Sequence, residues 1–372
     1  MKPKILHVTQ TTGGLETILL LLFRHYDRTR FDFHLACPAG TALEASAREL
    51  GISVHPISMV RRPAPLGDTL ALARLVRLIR REQFAIVHGH SAKGGYLARV
   101  ASKIGRGPKT VYAPQAFSYL SQRGVARSLF LGLERWAVPL TDLVIASSES
   151  EKVRAVREVG FSERRVIVIP NSVDFSEAVD NPTEMNGAAP VVLTVGRLCY
   201  QKNPEMFVRM AGLVAERRPD VRFAILGAGF AGPLETSVRQ MIAQAGLATR
   251  VDILSWSPKK ESLQLMSRCA VFVLTSRYEG MPNTLLEALM LNKPAVVTDV
   301  DGSRDVVENG VGGFVVALDD DRMMADRVIA VLDDSVLSSR LSAAGHTRAR
   351  ELFDVRRNVA ELEGVYERLL MM

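Results

Sequence analysis

Short apolar runs rich in Val, Ile and Leu alternate with longer amphipathic stretches along nearly the whole chain, and the series starts twice. The first series predicts strands at 4–8, 32–36, 52–55, 85–88, 110–113, 143–147 and 165–169, with helices between them, as at 69–81 and 126–136. The segment DNPTEMNGAAP at 180–190 is polar, holds Pro, Asn and Gly, and has no apolar period, so it reads as a linker. The second series predicts strands at 191–195, 222–226, 251–254, 271–274, 295–298 and 313–316. Strands alternating with helices give parallel sheets covered on both faces. Two doubly wound α/β domains in tandem, over residues 1–180 and 187–355, therefore fit better than one large sheet. Ligands in such folds bind beyond the carboxyl ends of the strands, so the loops after the strands are where chemistry is expected.

The charge is uneven. The chain has 372 residues with 47 Lys+Arg and 40 Asp+Glu, a net +7. Residues 1–186 hold 25 basic and 17 acidic residues, a net +8, while 187–372 hold 22 and 23, a net −1. A nucleic acid, an anionic membrane surface or a phosphorylated substrate would each suit the basic half. No interleaved aromatic–basic pattern supports nucleic acid. Cys37, Cys199 and Cys269 are scattered and odd in number, which excludes a disulfide framework and suits a reducing cytoplasm. The longest apolar run, Ile18 to Phe23, is far short of the roughly 20 residues that cross a bilayer. The start, MKPKILHVTQ, predicts a strand rather than a signal peptide.

Four loops carry candidate chemistry. Gly13-Gly14 follows the first strand, where paired glycines allow close approach of a ligand to a helix N-terminus. It also suits a tight turn, and neither a Gly-x-Gly-x-x-Gly fingerprint nor a P-loop is present. After the first strand of the second domain comes Gly196-Arg197-Leu198-Cys199-Tyr200-Gln201-Lys202-Asn203-Pro204. Two cations five apart on a strand-end loop suit a diphosphate, though a solvated loop explains them equally when taken alone. Gly227-Ala228-Gly229 ends the next strand. The strongest segment is Glu279-Gly280-Met281-Pro282-Asn283-Thr284-Leu285-Leu286-Glu287. Asn283 is expected to cap a helix starting near Thr284, with Thr275 and Ser276 delivered by the preceding strand. Glu287 would then face the site about a turn into that helix, whose N-terminus favours a phosphate. Two carboxylates so placed suit the hydroxyls of a sugar and a ribose.

Taken in order, these segments resemble the retaining glycosyltransferases of group 1, family four, which have the GT-B fold. The resemblance also includes HGHSAKGGYLARVASKIG, the 169–174 segment IPNSVD and NKPAVVTDVDGSRDVVENGVGGFVV, and runs nearly end to end. Capsular and exopolysaccharide assembly enzymes are the subgroup it looks most like. It implies two Rossmann-like domains facing across a cleft, with a C-terminal helix, 356–372, crossing back to the first. The first domain would bind the acceptor and the second a nucleoside-diphosphate sugar, with retention of configuration and no catalytic metal or other cofactor. By match to the family motifs, Arg197 and Lys202 clamp the diphosphate, Glu287 holds the ribose hydroxyls and Glu279 contacts the donor sugar. Gly14, Gly196, Gly229, Gly280, Met281, Pro282, Asn283 and Thr284 line the donor, and Ser257 lies in the nucleobase loop at 255–258. No Asp-x-Asp stands in a donor loop, and Asp299 reads as a strand-end residue.

Two departures stand out. The family commonly has a His where this chain has Gln115, which hydrogen-bonds but carries no titratable proton. Asp305 stands in Gly302-Ser303-Arg304-Asp305 where a longer Glu is usual. His88-x-His90 lies at a strand end with no evident third ligand, so core packing or an acceptor contact outweighs metal binding. His90, Lys93 and Tyr96 are the acceptor candidates. A nucleotide-sugar epimerase or hydrolase on the same fold, and a non-catalytic nucleotide-sugar binder, are the rival readings. The acceptor of a polysaccharide enzyme is lipid-linked or a saccharide. The basic half, with Arg74, Arg77, Arg80 and Arg81 on one helix, is therefore expected to touch anionic lipid at the inner face of the cytoplasmic membrane.

Overall fold

In the computed structural model, residues 2–10, 13–60, 64–105, 107–179, 189–229 and 234–371 are described. Most of the expected linker, residues 180–188, lies outside them. The chain divides into two units, Met1–Ser172 with Val355–Met372, and Val173–Asp354.

The first unit runs β1 (Lys4–Val8), α1 (Gly14–His25), β2 (Asp32–Cys37), α2 (Ala42–Glu49), β3 (Ser53–Pro56), α3 (Pro65–Glu82) and β4 (Ile86–His90). It continues through α4 (Ser91–Gly105), β5 (Lys109–Ala113), α5 (Gly124–Trp136), β6 (Leu143–Ala146), α6 (Glu149–Arg154) and β7 (Val166–Val168). Its seven strands pair in the order β3-β2-β1-β4-β5-β6-β7, all parallel. The order reverses between β1 and β4, which is where such sheets open a crevice.

The second unit runs β8 (Val191–Val195), α7 (Pro204–Arg217), β9 (Arg222–Ala228), α8 (Glu235–Gln244), β10 (Val251–Ser255), α9 (Lys259–Ser267) and β11 (Val271–Leu274). There follow α10 (Asn283–Met290), β12 (Ala295–Thr298), α11 (Ser303–Val306), β13 (Phe314–Val316), α12 (Asp321–Asp333) and α13 (Ser335–Leu352). Its parallel order is β10-β9-β8-β11-β12-β13, with the reversal between β8 and β11. The last helix, α14 (Val355–Met371), packs on α1 of the first unit.

Alternation along the strands sorts the first unit's core into two layers. Ile5, Phe33, Val111 and Ile145 lie in one cluster with residues of α1, α2 and α14. Leu6, Val8 and Val87 pack with residues of α3 and α4, and Tyr112 and Val144 with Phe130 and Leu131 of α5. The parallel registers Leu6↔Val87, Gly89↔Tyr112 and Tyr112↔Val144 put these residues on one face, so α3, α4 and α5 share that side of the sheet. One buried charge pair ties this layer together. Arg99 of α4 is 1% exposed and meets Glu134 of α5 at 3.0 Å. Glu134 also accepts from the Tyr112 hydroxyl at 2.9 Å, and the guanidinium lies 3.9 Å from the Tyr112 ring centre.

Candidate active site

The loops after β8 and β11 of the second unit are stitched into one surface. The Thr275 hydroxyl donates to the carbonyls of Lys202 and Asn203, and the Arg277 amide donates to the Gln201 carbonyl. Asn203, fully buried with φ 49°, turns the chain into α7, where Pro204 takes the first helical position. This turn aims Lys202 back over the strand ends. Its aliphatic stem crosses Gly196 so closely that a Cβ there would lie 3.1–3.2 Å from three of its carbons. The Lys202 ammonium meets Glu279 Oε1 at 2.6 Å. Glu279 is 6% exposed and also accepts from the Ser276 hydroxyl at 2.6 Å and from Gln201 Nε2 at 3.2 Å. Arg197, on the same loop and partly exposed, has no acidic partner among the described residues. A paired and an unpaired cation thus stand within one short loop.

The segment 280–287 follows. Gly280, Met281 and Pro282 are buried, and Gly302 packs so closely against the Gly280 carbonyl that a Cβ would come within 2.2 Å of it. With φ 74° as well, position 302 excludes a side chain on two grounds. The expected capping by Asn283 is corrected here: Pro282 is the N-cap, without a side-chain cap bond, and Asn283 is the first residue of α10. Proline's fixed φ ends the loop one residue earlier than a side-chain cap would. The Thr284 hydroxyl is buried in the first turn of α10 with no hydrogen-bond partner among the described residues.

Glu287 is the fifth residue of α10 and 8% exposed. Burial pushes its carboxyl up to about 7, opposed by Lys259, whose ammonium lies 3.9 Å away, and reinforced by Glu177. Lys259 is held by Glu177 at 2.5 Å. In the adjoining loops, the Ser257 hydroxyl is 3.1 Å from that of Ser262, and exposed Gly229 donates its amide to Glu235 at 3.2 Å. Asp305 accepts from the Gly302 amide at 3.0 Å, so the short acid closes its own helical turn.

In the first unit, Gly14 opens α1 after Gly13, which has φ 87°. Gln115 and Ala116 both adopt left-handed backbone, with φ 56° and 74°, a strain of about 1–3 kcal/mol per residue held by outside contacts. Sequence reasoning missed what holds them. Glu151, 2% exposed, accepts from the Ala116 amide at 2.7 Å and from the Ser147 amide and hydroxyl at 2.7 and 2.9 Å. Gln115 Nε2 lies 3.4 Å from Asn171 Oδ1. Lys93 pairs with Asp68 at 2.8 and 2.9 Å, and Tyr96 lies against Trp136, with ring centres 5.9 Å apart.

The expectation that His88-x-His90 lacks a third partner is also corrected. β1 pairs with β4 and sets His7 opposite His88, so the three rings gather on one buried face. His7 Nδ1 is 3.0 Å from His90 Nε2, His88 and His90 stack with centres 4.1 Å apart, and His88 Nδ1 is 2.6 Å from the Tyr366 hydroxyl. One ligand atom from each ring lies within 4.8 Å of the others, the reach a metal ion would need. Burial holds all three rings neutral, His90 down to about 3, and the stacking describes an aromatic cluster of uncharged imidazoles.

Two Rossmann-like units in tandem, the second carrying a cation–carboxylate loop at its strand ends, define the GT-B class of α/β enzyme. Residues 12–177 match the family Glycosyltransferase Family 4, and residues 176–348 match Glycosyl transferases group 1. The chain belongs to these group 1, family four glycosyltransferases. Among its relatives is the UDP-Gal:alpha-D-GlcNAc-diphosphoundecaprenol alpha-1,3-galactosyltransferase of Escherichia coli, 29% identical over 356 residues, 91% of this chain and 90% of the relative. Another is the capsular polysaccharide biosynthesis glycosyltransferase CapM of Staphylococcus aureus, 23% identical over 357 residues, 92% of this chain and 91% of the relative. The Anabaena Alr3699/HepE structure with UDP and glucose shares the fold, with a TM-score of 0.83, 22% identity and 99% of each chain covered.

Proposed function

We propose that the protein transfers a sugar, with retention of configuration and without a metal, from a UDP-sugar to a lipid-linked or saccharide acceptor in polysaccharide synthesis. The observation that carries this reading is the Lys202–Glu279 pair at 2.6 Å, with Arg197 on the same loop free of acidic partners among the described residues. A nucleoside-diphosphate donor ionises toward an oxocarbenium-like centre as negative charge gathers on the departing diphosphate. Lys202 and Arg197 neutralise that charge, and the unpartnered Thr284 hydroxyl in the first turn of α10 adds a donor for a phosphate oxygen. When the diphosphate draws Lys202 away, Glu279 turns to the sugar hydroxyls. Glu287 accepts from the ribose hydroxyls. The acceptor hydroxyl attacks on the face the diphosphate leaves, and a donor phosphate oxygen takes its proton. The names of the relatives, a UDP-Gal-dependent enzyme acting on a diphosphoundecaprenol and a capsular enzyme, support this donor and acceptor class.

Thermal shift against UDP-, GDP- and ADP-sugars tests the donor, with stabilisation by UDP-sugars expected and none with any nucleotide sugar refuting the reading. Glycosylation of an added acceptor, rather than epimerised or hydrolysed donor, separates transfer from the rival activities.

Gln115 is assigned to the donor sugar or its phosphate, presented by the strained turn that Glu151 holds. Gln115→Ala should lower turnover or donor affinity about 10- to 100-fold, the worth of one hydrogen bond to a charged group. Unchanged values for both would remove Gln115 from the site. The exposed arginines of α3, Arg74, Arg77, Arg80 and Arg81, favour anionic lipid by about 1 kcal/mol per cation at the surface.

A further inference from the structure

α9 opens against its own electrostatics. Pro258 is its N-cap and Lys259 its first residue, so a cation stands at the helix end where the macrodipole favours an anion. What holds Lys259 there lies outside the helix. Its ammonium meets Glu177 Oε2 at 2.5 Å and stops 3.9 Å from Glu287 Oε1, beyond hydrogen-bond distance. Glu177 is itself fixed. It ends the short turn Phe175–Glu177, closed by Asp174, which accepts from the Ser176 amide at 2.9 Å and hydroxyl at 2.6 Å. Phe175 is clamped by α13, its ring centre 5.4 Å from that of His346 and 4.6 Å from the Arg350 guanidinium.

We propose that Lys259, held by Glu177 one step short of contact, is the positioning residue that readies the Glu287 carboxylate for the ribose hydroxyls. The proposal rests on the reading of Glu287 as the ribose acceptor. Two vicinal hydroxyls donate best to a carboxylate with both oxygens open, and protonation turns one of those oxygens into a donor. A lysine bonded directly to Glu287 would supply positive charge but occupy an oxygen. From 3.9 Å it supplies the charge and leaves both oxygens open, and no side chain hydrogen-bonds them among the described residues. The carboxyl needs the cation. Burial pushes it up to about 7, Lys259 opposes that rise, and Glu177 adds to it.

The other charges around α10 are committed elsewhere. On α13, Arg348 donates to the carbonyls of Asp305 and Val306, and His346 Nδ1 lies 2.9 Å from the Met290 carbonyl at the far end of α10. On α11, Asp305 closes its own turn and Arg304 binds Asp299 and Asp301. Glu279 faces Lys202, and Lys260 and Glu261 of α9 are exposed. β11 and β12 carry no charged residue. Among the described residues Lys259 and Glu177 are therefore the charges that act on Glu287, one weakening and one strengthening its hold on a proton.

The test is calorimetric titration of the full chain with UDP and with 2′,3′-dideoxy-UDP, from pH 6 to pH 9.5. The ratio of the two affinities cancels the titration of the phosphates and reports the ribose hydroxyls. In the wild type this ratio should rise with pH and level off above about 7. Lys259→Met should move the midpoint up by about one pH unit, the influence of one opposite charge within about 4–6 Å. That is about a fivefold loss of the ratio at pH 7 and none at pH 9.5. Lys259→Arg should restore it. Glu177→Gln keeps an acceptor for the ammonium and removes the negative charge, so the ratio at pH 6 should rise about two- to threefold. A ribose preference that does not vary with pH, or a Lys259→Met loss equal at pH 7 and pH 9.5, overturns the role of Lys259 and leaves the donor reading standing. Equal affinity for the two ligands throughout removes Glu287 from the ribose, and the proposal with it. Absence of UDP binding at every pH fails the donor reading and everything resting on it.

Discussion

Lys202→Ala should weaken binding of a nucleoside diphosphate by about 10- to 100-fold and leave binding of the bare nucleoside within about twofold. The magnitude is that of one charge-assisted hydrogen bond to a phosphate, about 1.5–3 kcal/mol. The structure complicates the arithmetic in a useful way. Lys202 is held by Glu279 at 2.6 Å, so part of the phosphate's attraction is offset by breaking that pair. Glu279→Gln keeps a group able to bond Ser276 and Gln201 and releases the ammonium. It should therefore hold the diphosphate as tightly as the wild type or more so, while transfer of the sugar falls. Lys202→Ala alone leaves the nearly buried Glu279 carboxylate without its cation, a loss of stability that Lys202→Ala/Glu279→Gln should relieve without restoring affinity. Calorimetric titration with UDP and with uridine reads the effect. Equal losses for both ligands would remove Lys202 from the diphosphate.

Much of this geometry was legible because parallel strands buried on both faces read as unbroken apolar runs. The strands over 4–8, 191–195, 271–274 and 295–298 are the same residues in sequence and structure. The loops between them could be placed for the same reason, which is why Lys202 and Glu279 were singled out 77 residues apart. Three features were not legible. His7 joins His88 and His90 only through the β1–β4 pairing, a register between segments some 80 residues apart that no local pattern encodes. Asn283 has the chemistry of a cap, but Pro282 occupies the position. Glu151 reads as a first-turn helix acid, and its hold on the left-handed Gln115–Ala116 turn depends on where β5 and β6 end in space.

Between pH 7 and pH 5 the first domain should lose stability while the second does not. His7, His88 and His90 are buried and neutral in the folded chain, His90 held down to about 3 by burial and the other two well below 6.5. Once unfolded, each takes a proton near pH 6.5. The unfolded state then binds more protons, so stability is complete above pH 6.5 and falls as pH drops below it. Each ring contributes about 2 kcal/mol of loss by pH 5, and three contribute about 6, a large share of the roughly 5–15 kcal/mol that holds a domain. His55, also lowered by burial, acts in the same direction, while Glu16 and Glu363, raised by burial, recover a part. In the second domain the sign is opposite. Glu287, pushed up to about 7, takes its proton in the folded state first, so its burial is relieved as pH falls from 7. The two tryptophans separate the domains, Trp136 reporting the first and Trp256 the second. Urea midpoints from Trp256→Phe should drop steeply between pH 7 and pH 5, and those from Trp136→Phe should hold or rise. His7→Phe keeps a ring against Phe23 and Phe33 and should flatten the first-domain dependence by about a third. A first-domain midpoint that does not fall would mean that the three rings are not neutral and buried together.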